Sequence, residues 1–189
     1  MATAGYVGKI LYVDLTTQTY EEIPTEQYEQ WGGGHGMGAA LFWDKVKDKT
    51  IDGFHPHNLI SFMTSPLSGT GAPSASGRTE VTGISVQQYP VGWFSRSNFG
   101  GRWSAMIKYA GYDGVAVQGK SEKPVWLNIV NGKVTFEDAT DLWGLDTHET
   151  QEEIWKSVTG NVDSADRHGA DQRIQVPGAH NRSAHGAEV

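Results

Sequence analysis

A chain of 189 residues, 38% of them hydrophobic, is long enough to bury one domain-sized core. Its formal charge of -7 argues against a nucleic-acid surface, which needs clustered Lys and Arg to displace phosphate counterions. With no cysteine, its own side chains supply no disulfide scaffold, no thiolate zinc site and no iron–sulfur cluster.

In chain order, "KILYVDLTTQTYEEI" predicts two strands around a polar turn. The glycine-rich "WGGGHG" then leads into a helix expected over residues 37–46, and "LISFMTS" and "TEVTGISVQ" read as strands. Trp103, Met106, Ile107 and Ala110 recur at i, i+3, i+4 and i+7, which predicts a helix over 102–110 with Gly111 as its C-terminal cap. "GVAVQG" is a short strand, and "VWLNIVNGKVTFE" a hairpin whose Asn131-Gly132 pair suits a type I′ turn. A last helix is expected over 147–157, where Asp146 and Glu149 form a capping box. Hairpins and helices without regular βαβ alternation make the class α+β. No run approaches 18 apolar residues, and the N-terminus lacks the features of a signal peptide, so the expected location is cytoplasmic.

Glycine, 24 of 189 residues, is clustered in three loops, and two of them precede helices. The loop at Gly100-Gly101 offers open backbone N–H groups beside Arg96 and Arg102, which suits an anion. The reading that Gly-Gly is only a tight entry turn stays open beside it. "WGGGHGMGAALFWD" fits neither a dinucleotide fingerprint nor a phosphate-binding P-loop. The third loop, "SPLSGTGAPSASGRTEV", ends at Arg78, a residue type that in such a position usually pairs with a surface carboxylate. His55 and His57 in "FHPHN" read as solvated histidines, and the seven tryptophans as core packing rather than a carbohydrate platform. The absence of a G-x-S-x-G elbow speaks against hydrolase chemistry.

The segments "GYVGKILYVDLTT", "WGGGHGMGAALFWD", "TSPLSGTGAPSASGRTEVT", "SNFGGRWSAMIKYAGYDGVAVQGKSEKPVWLNI" and "DLWG", in this order, resemble the N-terminal domain of tungsten-containing aldehyde ferredoxin oxidoreductases. The resemblance covers roughly residues 6–160. It implies a β-rich base of two structural repeats, with hairpins and short helices, cradling a tungsten or molybdenum bis-pyranopterin. It further implies oxidation of aldehyde and water to carboxylic acid, with electrons passing through a [4Fe–4S] cluster to ferredoxin or another acceptor. By the same resemblance Arg78 lies between pterin and cluster. Asn98 and Gly100 match the loop that contacts the cofactor phosphates and, through the Asn98 backbone, the magnesium bridging them. Gly101, Arg96 and Arg102 are added by proximity alone. No residue is assigned a catalytic role.

The cluster cysteines and the second cofactor loop of the family are not found in this sequence. The expectation is therefore an incomplete cofactor-cradling domain over residues 1–162, inactive alone and binding the pterin weakly or not at all. The alternatives are a non-catalytic remnant, a subunit of the same fold that works as a homodimer or with a complementing partner, or an acidic Trp-rich ligand-binding module. Residues 163–189 read as a disordered or frameshifted tail. Read one nucleotide later, with Arg167 and Arg173 as CGN codons, residues 166–176 permit Ile, Gly, Ala, Asn, Lys and Phe in the order of a family segment.

Overall fold

A computed structural model describes residues 4–73, 77–87, 90, 92–159 and 174–177. Among these residues nine strands form two sheets: β1 (Lys9–Asp14), β2 (Thr19–Pro24), β3 (Ile60–Met63), β4 (Thr79–Ile84), β5 (Phe94–Phe99), β6 (Gly114–Gln118), β7 (Val125–Val130), β8 (Lys133–Asp138) and β9 (Ile174–Pro177). The larger sheet runs β2-β1-β6-β3-β4-β5 and the smaller β8-β7-β9. Only β1 and β6 pair in parallel; every other neighbour is antiparallel. Three α-helices accompany them, α1 (Gly34–Lys45), α2 (Trp103–Tyr109) and α3 (Thr147–Thr159). The α+β class, the hairpins and the short helices are those expected.

Strand alternation separates two cores. Ile10 of β1 and Ala116 of β6 join Met37, Leu41 and Phe42 of α1, with Met63 and Ile84, on one face of the large sheet. Leu11, Val13, Val115 and Val117 point the other way, onto Ile107 of α2 and Leu127, Ile129 and Val134 of the small sheet. Each fully buried Leu or Ile contributes about 1.5–3 kcal/mol, so the central strands are held from both sides.

Local chemistry accounts for the element ends. Asn131 and Gly132 both have positive φ, 50° and 80°, as a type I′ turn requires. At the end of α2 the Tyr112 amide donates to Ile107 O and the Gly111 amide to Lys108 O, a Schellman cap. The capping box of α3 is present: the Glu149 amide donates to Asp146 Oδ1 at 2.8 Å, and the Asp146 amide to Glu149 Oε2 at 3.2 Å.

Three expectations need correction. Helix α1 starts at Gly34, three residues before the predicted 37, because its glycines are sites of close approach rather than breaks. A Cβ on Gly36 would lie 2.4 Å from Trp31 O, and one on Gly38 2.6 Å from both Ser61 Oγ and Thr82 Oγ1. Residues 94–99, read as loop, form strand β5, a polar edge strand with no apolar alternation to announce it. Finally, Trp126 is buried and Trp103 packs against the core, but Trp31, Trp43, Trp93 and Trp143 are more than half exposed, so core packing accounts for only some of the tryptophans. The tail from residue 163 lies outside the described residues except for the backbone of β9, which pairs with β7.

Candidate functional site

The hairpin β4–β5 brings the sequence-predicted residues together. Its register sets Glu80 opposite Asn98 and Thr82 opposite Arg96. By alternation Arg78, Glu80 and Thr82 share the face that α1 covers, together with Asn98 and Arg96. Contacts agree: a Cβ on Gly34 would touch the Glu80 side chain at 3.5 Å, and Phe94 packs at a tilt against Phe42 of α1 with ring centroids 4.8 Å apart.

Two polar pairs cross the hairpin on that face. Arg78 donates from Nη1 to Oδ1 of Asn98. Arg96 donates from Nη1 to Oε1 of Glu80 at 2.7 Å, an ion pair whose Glu80 side chain is only 14% exposed. Arg78 was expected to find a carboxylate and finds a neutral carboxamide instead. Its charge is therefore uncompensated by any ion pair among the described residues. Gly100 stands beside Gly77, the residue before Arg78: a Cβ on Gly100 would sit 3.8 Å from Gly77 O. Gly101 takes φ +90°, and nothing lies within 4 Å of where its Cβ would be, so the backbone there is open. Arg78 thus shares one rim with Asn98 and Gly100, about twenty residues further along the chain.

The proximity candidates fare differently. Arg96 is neutralised by Glu80, and Arg102, at the N-terminal cap of α2, is itself engaged in an interaction. Helix α2 is only seven residues long, too short to offer the anion-holding N-terminus inferred from the sequence.

Sequence reasoning missed the other wall. A cleft of about 300 Å³ lies between Arg78 and Glu80 on one side and Gly33, Gly34, His35, Thr64 and Ser65 on the other. The "WGGGHG" segment fits no nucleotide motif and forms part of the family resemblance, but neither reading gives it a residue at the site. Alternation along "RTEV" would have set Glu80 beside Arg78. The wall is tightly built: the Gly34 amide donates to Thr64 O at 2.9 Å, and a Cβ on Gly33 would lie 2.5 Å from that same oxygen.

Thr64 is held from behind by a second polar cluster. Its amide and hydroxyl both donate to Asp113 O, at 3.2 and 2.6 Å. The Asp113 side chain, 2% exposed, accepts from Lys108 Nζ at 2.6 Å, Thr25 Oγ1 at 2.7 Å, and the amides of Val7 and Gly8 at 2.9 and 2.8 Å. Lys108 Nζ also donates to Gly5 O. Burial pushes the Asp113 carboxyl up, but Lys108, Thr25 and the two amides outweigh it and hold the group below its ordinary value. Lys108 and Asp113 are the first and last residues of "KYAGYD", so this motif serves architecture and the support of Thr64.

His55 and His57 are exposed, with ring centroids 5.0 Å apart, and no group of three metal-ligating side chains occurs among the described residues. No helix among them is long and apolar enough to cross a membrane.

The fold and rim define an α+β domain with an open arginine beside a glycine loop. The family model described as "Aldehyde ferredoxin oxidoreductase, N-terminal domain" matches residues 10–169, and the chain belongs to that family. It is 38% identical over 157 residues to a tungsten-containing aldehyde ferredoxin oxidoreductase of Pyrococcus abyssi, covering 82% of this chain and 25% of that protein. It is 32% identical over 164 residues to the "Aliphatic sulfonate oxidoreductase, WOR-like subunit" of Pyrococcus furiosus, covering 82% of this chain and 24% of that one. Among solved structures, the active site complex BamBC of benzoyl coenzyme A reductase with 1,5-dienoyl-CoA matches with a TM-score of 0.75. That match has 36% identity and covers 82% of this chain and 23% of the other. The chain thus spans about a quarter of the length of these relatives.

Proposed function

We propose that this chain is the cofactor-cradling part of a tungsten-dependent oxidoreductase. The observation that carries the reading is the Arg78–Asn98 pair beside Gly77, Gly100 and Gly101: a guanidinium without a counter-charge next to backbone that a ligand can approach closely. Such a donor set fits phosphate oxygens, and a pterin bearing phosphate would be held here by Arg78 and the backbone of Asn98, Gly100 and Gly101. Magnesium bridging those phosphates would be met by the Asn98 backbone. When bound, the tungsten or molybdenum bis-pyranopterin supplies the two-electron oxidation chemistry, and the protein supplies binding and orientation. Arg78, as a fixed cation, would also favour the anionic form of whatever lies beside it.

For the complete enzyme we propose oxidation of an aldehyde with water to a carboxylic acid. Electrons would leave through a [4Fe–4S] cluster on another part of the protein to ferredoxin. The aldehyde is proposed from the family to which the chain belongs and the relative named for it; relatives named for aliphatic sulfonates and for benzoyl coenzyme A reductase match at similar identity. A second reading is favoured by two of those names. The WOR-like subunit and the BamBC complex are described as parts of assemblies, and a chain a quarter of their length would be completed by a complementing polypeptide. In either reading we propose residues 1–162 as the functional unit, with residues from 163 lying outside it, and a cytoplasmic location.

The test is a chimera in which residues 10–169 replace the matching quarter of the Pyrococcus abyssi protein, produced with tungsten and assayed for metal, pterin and aldehyde oxidation. Stoichiometric tungsten that is lost in Arg78→Ala supports the proposal. A folded chimera without tungsten or molybdenum overturns it.

A further inference from the structure

The two cross-strand pairs on β4–β5 differ in one respect that hydrogen bonding alone does not require. Arg96 faces a carboxylate and Arg78 faces a carboxamide, although both acceptors lie on the same face of one hairpin. We infer that the Asn98 side chain is a positioning residue whose neutrality is the point: it orients the Arg78 guanidinium without cancelling its charge, leaving Arg78 the hairpin's cation for an anionic ligand. This rests on the reading of Arg78 as an anion-binding residue. It adds a role for the Asn98 side chain to the one proposed for its backbone.

The chemistry follows from the donor count. A guanidinium has five N–H donors in a planar fork, and one bond to Asn98 fixes the plane while the remaining edge stays available for paired oxygens. A carboxylate at the same position would fix the plane equally well, but would neutralise the group and repel the incoming anion. Glu80 does this to Arg96 on the same face. The hairpin face therefore presents one open cation rather than two, and the location of that cation, at the cleft, is decided by which arginine has the uncharged partner. Of the other charged or titratable groups at the cleft, Glu80 is committed to Arg96, and His35 stands on the α1 wall.

Two readouts on the purified chain test this. In ligand-free protein, low-temperature NMR of the arginine side chains should show the Arg78 Nη protons slowed in exchange, and this protection should vanish in Asn98→Ala. Titration with inorganic pyrophosphate should then separate geometry from charge. Asn98→Asp should keep the protection yet bind at least about tenfold more weakly than the parent, the effect of losing one charge-assisted hydrogen bond. Equal affinity in Asn98→Asp and the parent overturns the inference, as does an unprotected Arg78 in a chain that still binds pyrophosphate. A protected Arg78 in a chain that binds no pyrophosphate instead sinks the anion-binding reading on which the inference stands.

Discussion

Two polar clusters of this domain use the same residue types toward opposite ends. At Lys108–Asp113 the ion pair is buried, and the Asp113 carboxylate is surrounded by donors from three parts of the chain: the Val7 and Gly8 amides just before β1, the Thr25 hydroxyl, and Lys108 in the last turn of α2. At the β4–β5 rim Arg78, Arg96 and Asn98 are exposed, and Arg78 has a neutral partner only. A buried charge with every bond made holds elements in place, and removing a partner leaves a costly orphan. An exposed cation left without its counter-charge contributes little to stability and is open to a ligand. The clusters are linked through Thr64, which Asp113 holds and whose carbonyl receives the start of α1.

If that division is right, mutations should sort by cluster. The largest effect belongs to Asp113→Asn, which leaves Lys108 buried without its counter-charge and should cost about 3–5 kcal/mol in denaturant unfolding. A loss near zero would make the buried cluster as dispensable as the rim. Next, Gly38→Ala drives a Cβ into Ser61 and Thr82 beneath α1 and should cost about 1–3 kcal/mol by overpacking. Because α1 carries Gly34 and His35, pyrophosphate binding should weaken too; unchanged stability would show that the helix can shift freely.

Acid titration gives a smaller contrast. The Asp113 carboxyl is held below its ordinary value of 3.8 in the folded chain. Its contribution is therefore fully present above that value and is lost as pH falls through the lower folded value. Unfolding free energy followed down this range should fall more steeply for the parent chain than for Asp113→Asn, and parallel curves would remove Asp113 from the acid response. Smallest in stability is Glu80→Gln, which weakens a pair whose Arg96 side is largely in solvent and should change unfolding by about 1 kcal/mol or less. Its effect should appear in binding, since a released Arg96 adds a second cation and tightens pyrophosphate. Unaltered affinity would mean that Arg96 is too far from the anion to matter.

Elements with strong local signals were legible from the sequence. The Asn131-Gly132 hairpin, the α3 capping box and the Gly111 cap each depend on a few neighbouring residues, and each is present. Strand β5 was not legible, because an edge strand that faces solvent needs no apolar alternation and "SRSNF" offers none. The early start of α1 was hidden for a related reason. Glycine is a poor helix former, and only the close approach of Trp31 explains Gly36, and that of Ser61 and Thr82 explains Gly38, inside that helix.

By itself the sequence determined the class of fold, since periodicity and turn chemistry are written in one dimension, and the order of its motifs carried the family resemblance that pointed to Arg78, Asn98 and Gly100. Tertiary structure alone decided which arginine keeps its charge. That outcome depends on the cross-strand register, which sets Glu80 and Arg96 as one pair and leaves Arg78 to Asn98. It likewise decided that "KYAGYD" closes a buried ion pair rather than lining a site, because burial and hydrogen-bond satisfaction exist only once distant segments have met.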